Sequence, residues 1–247
     1  MAGRSYQTDA IVLRSLRFGE ADRILHLYTL GRGRIGAIAK GIRKTKSRVG
    51  ARLEPLSHVQ VQLHEGSGEL QTVTGVDLVS AHRAVREQPY RLGVALIGAE
   101  AMLRLFGEPE ANERAFTALA RFLDLLDETE PAAGGRPALD PLALSFQLKL
   151  LWLSGYLPHV TTCVECGAVG ELVGFSPRAG GAVCRTHAGG SFTLSPEGLA
   201  GIERLLSTPL ADAAAAGLGD RACREALSVV TSSYEEHGGF RLRTLSA

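Results

Sequence analysis

The chain has 247 residues, 45% of them hydrophobic, and a formal net charge of +1. This length predicts two or three folding units, and the hydrophobic content is ample for real cores, so a disordered chain is not expected. The first residues show no apolar signal segment, and no uncharged apolar run reaches the roughly eighteen residues of a membrane span. We therefore expect no membrane span, and thiols spaced as metal ligands suggest a reducing cytoplasm.

The small net charge hides a strong asymmetry along the chain. Residues 1–52 contain 12 Lys or Arg and 3 acids, a net charge of +9, while residues 53–247 carry −8. A protein that concentrates positive charge in one module usually meets a polyanion there. The alternative is a solvated basic face without a partner.

Five short strands are predicted in the first eighty residues. They cover residues 10–13, 23–30, 34–40, 58–64 and 70–74, and the fourth alternates strictly between apolar and polar side chains. Because no helix between them is long enough for a parallel crossover, the pattern predicts a small closed barrel.

A GxGxxG motif occupies residues 31–36 and matches the dinucleotide-binding fingerprint. That fingerprint needs a helix N-terminus to receive the pyrophosphate, and residues 37–40 read as a strand that ends at Gly41. We therefore interpret the motif as a hairpin turn and expect no nucleotide binding.

Residues 40–48 hold five cations in nine positions and predict a mobile basic loop. Such side chains neutralise phosphates without reading sequence, and few aromatic residues lie nearby, so affinity would depend on charge. A merely solubilising loop is the alternative. The candidate DNA-binding residues are Arg14, Arg17, Arg23, Arg32, Arg34, Lys40, Arg43, Lys44, Lys46 and Arg48.

The pattern becomes helical after residue 80. Helices are predicted over residues 84–106, 111–127, 140–154, 195–206 and 220–236. Asp140 and Ser195 have the N-cap preference and each precedes a proline at the first helical position. The third helix has almost no polar face and should be central.

Cys163, Cys166, Cys184 and His187 form two ligand pairs separated by seventeen residues. This spacing predicts one structural zinc ion per chain, held by two turns that flank a short strand at 171–176. Disulfides are disfavoured because they would leave His187 without a role. His159 is an alternative ligand, and Cys223 falls at an apolar helical position where a buried thiol is expected.

The whole chain resembles the RecO family of bacterial recombination mediators. The resemblance is carried by residues 19–25, 30–34, 39–48, 53–56 and the segment from Cys163 to His187. It implies an α+β multidomain fold: an N-terminal five-stranded oligonucleotide-binding (OB) fold barrel (1–80) followed by an α-helical domain (81–158 and 191–247). A zinc ribbon-like element (159–190) is inserted in the helical domain.

The resemblance also implies a function. It implies binding of single- and double-stranded DNA, strand annealing, and loading of recombinase onto DNA coated by single-strand binding protein. The implied partners are RecR and the C-terminal tail of single-strand binding protein, in the bacterial cytoplasm at the nucleoid. No enzyme activity and no ATP hydrolysis are expected.

Two other function classes are left open by the residues. A nuclease or nucleotidyl enzyme would need clustered carboxylates on the basic module, where Asp9, Glu20 and Asp22 are the only acids within residues 1–52. A zinc-ribbon transcription or translation factor would prefer RNA or polymerase to bare DNA.

Overall fold

The computed structural model describes residues 4–42, 50–128 and 135–246. The chain divides into two compact units, one of Met1–Ala95 with Phe106–Thr129 and one of Leu96–Leu105 with Glu130–Ala247. The predicted domain limits at residues 80, 158 and 190 stay predictions.

The first unit contains a closed five-stranded barrel. Its strands are β1 (Ser5–Phe18), β2 (Asp22–Thr29), β3 (Gly33–Ala39), β4 (His58–His64) and β5 (Gln71–Ser80), in the order β1-β2-β3-β5-β4. All neighbours are antiparallel except β3 and β5. The five predicted strands and the barrel are confirmed, although β5 continues six residues beyond its predicted end.

The barrel core follows from the alternation along the strands. Inward side chains of β4 are Val59, Val61 and Leu63, all fully buried, and β2 contributes Leu25 and Leu27. Apolar side chains on alternate positions pack inside, so the intervening positions form the outer surface.

Seven α-helices are described. They are α1 (Arg83–Glu87), α2 (Pro89–Leu105), α3 (Glu113–Glu128), α4 (Pro141–Leu153), α5 (Pro196–Ser207), α6 (Asp220–Gly238) and α7 (Arg243–Ser246). The single helix predicted over 84–106 was wrong: α1 and α2 are separate. Gln88 is extended (φ −106°, ψ 116°) because the ring of Pro89 disfavours a helical residue before it.

Helix α4 is the central helix of the second unit, as predicted. Eight of its residues are buried, and the Asp140 carboxylate accepts hydrogen bonds from the backbone N–H groups of Leu142 and Ala143. Ser195 caps α5 in the same way through Gly198 N–H. None of the helices in the described ranges combines the length and hydrophobicity needed to cross a membrane.

A three-stranded sheet lies in the second unit. Its strands are β6 (Leu172–Ser176), β7 (Gly181–Cys184) and β8 (Phe192–Thr193), in the order β7-β6-β8. The strand predicted at 171–176 is confirmed, and two further strands pair with it antiparallel. This sheet places the second ligand pair of the predicted metal site at the end of β7.

Candidate metal centre and nucleic-acid interface

The four predicted metal ligands come together in space. One ligand atom from each of Cys163, Cys166, Cys184 and His187 lies within 4.8 Å of the others. The Sγ atoms of Cys166 and Cys184 are 3.9 Å apart, and His187 Nδ1 lies 3.7 Å from Cys163 Sγ and 3.3 Å from Cys184 Sγ. Tetrahedral zinc requires about 3.8 Å between two sulphurs and about 3.6 Å between sulphur and nitrogen, so the cluster can hold a metal ion.

Two tight turns aim these side chains. In the first, Gly167 N–H donates to Cys163 C=O and Cys163 N–H donates to Ala168 C=O, at 2.7 and 2.9 Å. Gly167 has φ +72°, which a residue with a side chain adopts only at a cost. In the second, Cys184 is the last residue of β7, and a 3-10 turn over Arg185–His187 brings the His187 side chain close to the Cys184 side chain.

The electrostatics of the cluster favour a bound cation. The backbone N–H of Cys184, with that of Cys166, lowers the pKa of the Cys163 thiol. Burial raises the pKa of Cys184, but the backbone N–H groups of His187 and Thr186 together with the neighbouring thiols outweigh it, and the pKa is lowered. Although Ala168 N–H lowers it, the neighbouring thiols raise the pKa of Cys166 overall. Three thiolates this close repel one another, and a divalent cation relieves that repulsion.

The alternative ligand His159 is not part of the cluster. Its Nε2 lies 2.6 Å from Thr162 Oγ1, and its backbone forms an isolated bridge with Gly181 on β7. It therefore positions the first turn against the sheet. Cys223 is buried in α6, as predicted, and burial raises the pKa of its thiol.

Three of the predicted DNA-binding arginines are held in ion pairs. Arg23 pairs with Glu54 and Arg34 with Glu108, at 3.3 and 3.2 Å, and Arg32 pairs with Glu65 while lying over the Tyr6 ring. All three side chains are a third exposed or less. A phosphate would have to compete with these carboxylates.

Arg14, Arg17 and Lys40 are the more accessible candidates. All three side chains are exposed, and in the described part of the chain none forms an ion pair. Arg43, Lys44, Lys46 and Arg48 lie outside the described residues. The basic loop thus stays a prediction, while Arg14, Arg17 and Lys40 have a defined position on the barrel.

An apolar surface, which sequence reasoning missed, lies beside these cations. Leu16, Ile24 and Ile38 stand in register across the outer faces of β1, β2 and β3. Phe18 continues the same face of β1 and is 49% exposed. We call these four residues the outer patch.

The neighbouring row on this face is polar. Arg14 stands opposite His26, which stands opposite Gly36. Burial, followed by the charge of Arg14, lowers the pKa of His26, so its ring is neutral at neutral pH. Arg14 is therefore the cation of this row.

The outer face of β1 and β4 has a different character. It presents amide side chains, with Gln7, Gln60 and Gln62 exposed and Gln7 paired with Gln62 across the strands. Thr74 continues this surface on β5 and donates a hydrogen bond to Gln62 C=O. Arg14, Leu16, Phe18, Ile24 and Ile38 therefore share the outer face of β1, β2 and β3, whereas the outer face of β1 and β4 carries amide side chains.

Comparison with known proteins covers almost the whole chain. The family model described as "Recombination protein O N terminal" matches residues 1–82, and "Recombination protein O C terminal" matches residues 86–246. The chain is 40% identical over 235 residues to DNA repair protein RecO of Rubrobacter xylanophilus, covering 93% of this chain and 90% of the relative. It is 36% identical over 246 residues to the protein of that name from Thermobifida fusca, covering 96% and 97%.

Proposed function

Because the chain belongs to the RecO family of DNA repair proteins, we propose that it is a mediator of recombinational repair. It binds single- and double-stranded DNA, anneals complementary strands and helps to load recombinase onto DNA coated by single-strand binding protein. It acts without enzymatic turnover, in the cytoplasm of a bacterial cell at the nucleoid.

The observation that carries this proposal is the concentration of positive charge in the first 52 residues, which contain the first three strands of the barrel. The net charge of residues 1–52 is +9, and Arg14, Arg17 and Lys40 are exposed on the barrel. Two DNA strands repel each other through their phosphates, and a basic surface offsets that repulsion while releasing counterions. Annealing therefore requires charge neutralisation and no covalent chemistry.

The GxGxxG segment supports a mechanism without a nucleotide. Strand β3 begins at Gly33 and follows the turn directly, so no helix N-terminus lies there to bind a pyrophosphate. The side chain of Leu70 lies over Gly36, and the backbone of Glu110 lies against Gly33. These contacts account for Gly33 and Gly36 of the motif.

The Cys₃His cluster fits zinc, and we propose one structural zinc per chain held by Cys163, Cys166, Cys184 and His187. Soft thiolate ligands with one imidazole in a tetrahedral set are typical of structural zinc. When bound, the ion cross-links the two turns and neutralises the thiolates. The turns themselves orient the sulphurs through the backbone hydrogen bonds of Cys163 and Gly167.

The proposed protein partners are RecR and the C-terminal tail of single-strand binding protein. The positive charge lies in residues 1–52, whereas residues 53–247 carry a net charge of −8, so we assign DNA binding to the first segment and the protein contacts to the rest of the chain. No membrane partner is proposed.

Strand annealing and salt-dependent binding test the function. The triple variant Arg14→Ala, Arg17→Ala, Lys40→Ala should anneal more slowly than the unmodified protein. Its log–log salt slope for single strands should be shallower by about 0.7 for each phosphate that the variant no longer neutralises. The control variant Arg114→Ala, Arg178→Ala, Arg224→Ala removes the same charge from exposed positions elsewhere.

The control should leave both the slope and the annealing rate unchanged. Equal effects of the two triple variants would show that only net charge matters and not the barrel face. Annealing by the unmodified protein that depends on ATP would contradict the mechanism.

A further inference from the structure

Resting on the proposed DNA binding, we infer that the segment between α2 and α3 is an intramolecular competitor of DNA, whose Glu108 carboxylate neutralises Arg34 until a phosphate displaces it. We call residues 107–112 the acidic segment. It contains Glu108 and Glu110 and no Lys or Arg, and it belongs to the same compact unit as the barrel. A carboxylate and a phosphate bind the same guanidinium group, so the two compete for it.

One end of the outer face of the barrel is covered. Leu27 and Ile35 point into the barrel core, so by alternation their neighbours Tyr28 and Arg34 lie on the outer face. Tyr28 stands opposite Ile11 on β1 and opposite Arg34 on β3. Ile11 and Tyr28 are nevertheless fully buried. Another part of the chain therefore lies over this end of the face.

The cover is the acidic segment together with the phenylalanine that precedes it. The Phe106 ring packs edge-on against the Tyr28 ring, with centroids 5.7 Å apart. The backbone of Glu110 lies against Gly33, at the start of β3. Burial, followed by the charge of Glu110, raises the pKa of the Tyr28 hydroxyl, so this carboxylate also lies on the barrel side of the segment.

Glu108 places its carboxylate on a cation of the barrel. Its Oε1 lies 3.2 Å from Arg34 Nε, and the two side chains are 47% and 26% exposed. In the next row, burial and then Arg14 lower the pKa of His26, and the charge of Glu108 opposes them. Glu108 therefore takes the place beside Arg34 that a DNA phosphate would need.

The acidic segment is fixed at both ends, whereas the Glu108 side chain reaches into solvent. Phe106 holds one end, and at the other end Asn112 accepts a hydrogen bond from Ala115 N–H in the first turn of α3. A half-exposed ion pair is weak because water and salt screen it. Rotation of the Glu108 side chain alone would let a phosphate reach Arg34, so the segment does not have to unfold.

This competitor differs from the other carboxylates that engage predicted DNA-binding arginines. Glu54 and Glu65, the partners of Arg23 and Arg32, belong to connections between barrel strands, whereas Glu108 comes from outside the five strands. A surface that must displace its own carboxylate binds DNA more weakly and gains one phosphate contact fewer at low occupancy of that site. The acidic segment thereby sets an upper limit on the affinity of the barrel for DNA.

The experiment measures binding of a labelled oligothymidine to full-length Glu108→Gln by fluorescence anisotropy at several salt concentrations. One additional phosphate contact steepens the log–log salt slope by about 0.7, which is about five-fold in affinity for each ten-fold change in salt. We expect Glu108→Gln to bind about five-fold more tightly than the unmodified protein at about 0.1 M salt and equally at about 1 M. Glu108→Lys should enlarge both effects, and it keeps the test informative if Glu108→Gln unfolds.

Two further variants separate the role of Arg34 from that of net charge. Adding Glu108→Gln to an Arg34→Gln protein should raise affinity less than about two-fold, because the cation that the carboxylate neutralises is absent and more distant charges are screened. Glu236→Gln removes the same charge from an exposed position on α6 and should leave affinity and slope unchanged. Thermal unfolding shows whether each variant retains the fold.

Two results would overturn the inference. Unchanged affinity and slope in Glu108→Gln would make the ion pair with Arg34 purely structural. An equal gain in the Arg34→Gln background, or in Glu236→Gln, would assign the effect to net charge and not to the acidic segment. If the unmodified protein does not bind the oligothymidine, the proposed function itself fails, whereas the other two results leave it intact.

Discussion

Gly33 is the position where a single methyl group should be most disruptive. It has φ +65°, and a Cβ atom there would overlap the backbone oxygen of Glu110 and lie 2.5 Å from its carbonyl carbon. Gly31, two residues earlier in the same motif, has no positive φ and no atom within 4 Å of its Cβ position. The two Gly→Ala variants thus add the same methyl group in opposite surroundings.

The size of the effect follows from two costs. A non-glycine residue in the left-handed region costs about 1–3 kcal/mol. Overpacking against atoms that cannot rotate away adds about 1–3 kcal/mol. Gly33→Ala should therefore lower the free energy of unfolding by about 2–6 kcal/mol. For a chain of this length, that corresponds to a fall in Tm of roughly 4–24 °C.

Thermal unfolding followed by circular dichroism measures both variants. Gly31→Ala should change the free energy of unfolding by less than about 0.5 kcal/mol. Adding ATP or NADH should leave the Tm of the unmodified protein unchanged, because a ligand that bound the folded state would raise it. Equal Tm values for the two variants, or a Tm raised by either nucleotide, would refute the structural account of this motif.

Three further predictions concern the metal, a capping carboxylate and pH. Cys166→Ser should lower the zinc content from one ion per chain, measured by elemental analysis, and lower the Tm, whereas Cys223→Ser should keep the metal. Glu225 accepts the N–H and O–H of the α5 N-cap residue, so Glu225→Ala should cost about 2–3 kcal/mol in urea unfolding. The exposed Glu236 on the same helix is its control, with less than about 0.5 kcal/mol expected. Burial lowers the pKa of His58 from its ordinary 6.5, so as pH falls through that value the unfolded chain takes up a proton that the folded protein does not. The free energy of unfolding should therefore fall from about pH 7.5 to about pH 5.5, and His58→Gln should reduce that fall; an equal pH dependence in both proteins would contradict this assignment.

Local patterns predicted most of the elements. The alternation at 58–64 corresponds to β4 residue for residue. The N-cap residue Asp140 and the proline that follows it, Pro141, mark the start of α4. The Cys163-to-His187 spacing identified all four residues of the cluster that could hold a metal ion, because both pairs lie in tight turns. The break at Gln88 was missed, since the apolar periodicity continues across Pro89.

Contacts between distant residues could not be predicted in the same way. The ion pairs of Arg23, Arg32 and Arg34 use acids that lie 31, 33 and 74 positions later in the chain, so no local pattern indicates that these arginines are engaged. The outer patch depends on the register of three strands and on a bulge in β1. Neither register nor bulge can be deduced from the apolar pattern of one strand.

The seam that closes the barrel is its shortest pairing. In the described residues, β3 and β5 are joined only through Ala37 with Gln71 and Ile38 with Thr72, while Arg52 donates from its side chain to Val76 C=O farther along β5. Local opening begins where the fewest hydrogen bonds must break together. Backbone amides on both sides of this seam should exchange with deuterium before those of β1, β2 and β4. Separation of β3 from β5 would convert the barrel into an open sheet with the strand order β3-β2-β1-β4-β5. Strand β1 would lie at its centre, and β3 and β5 would be its two edges.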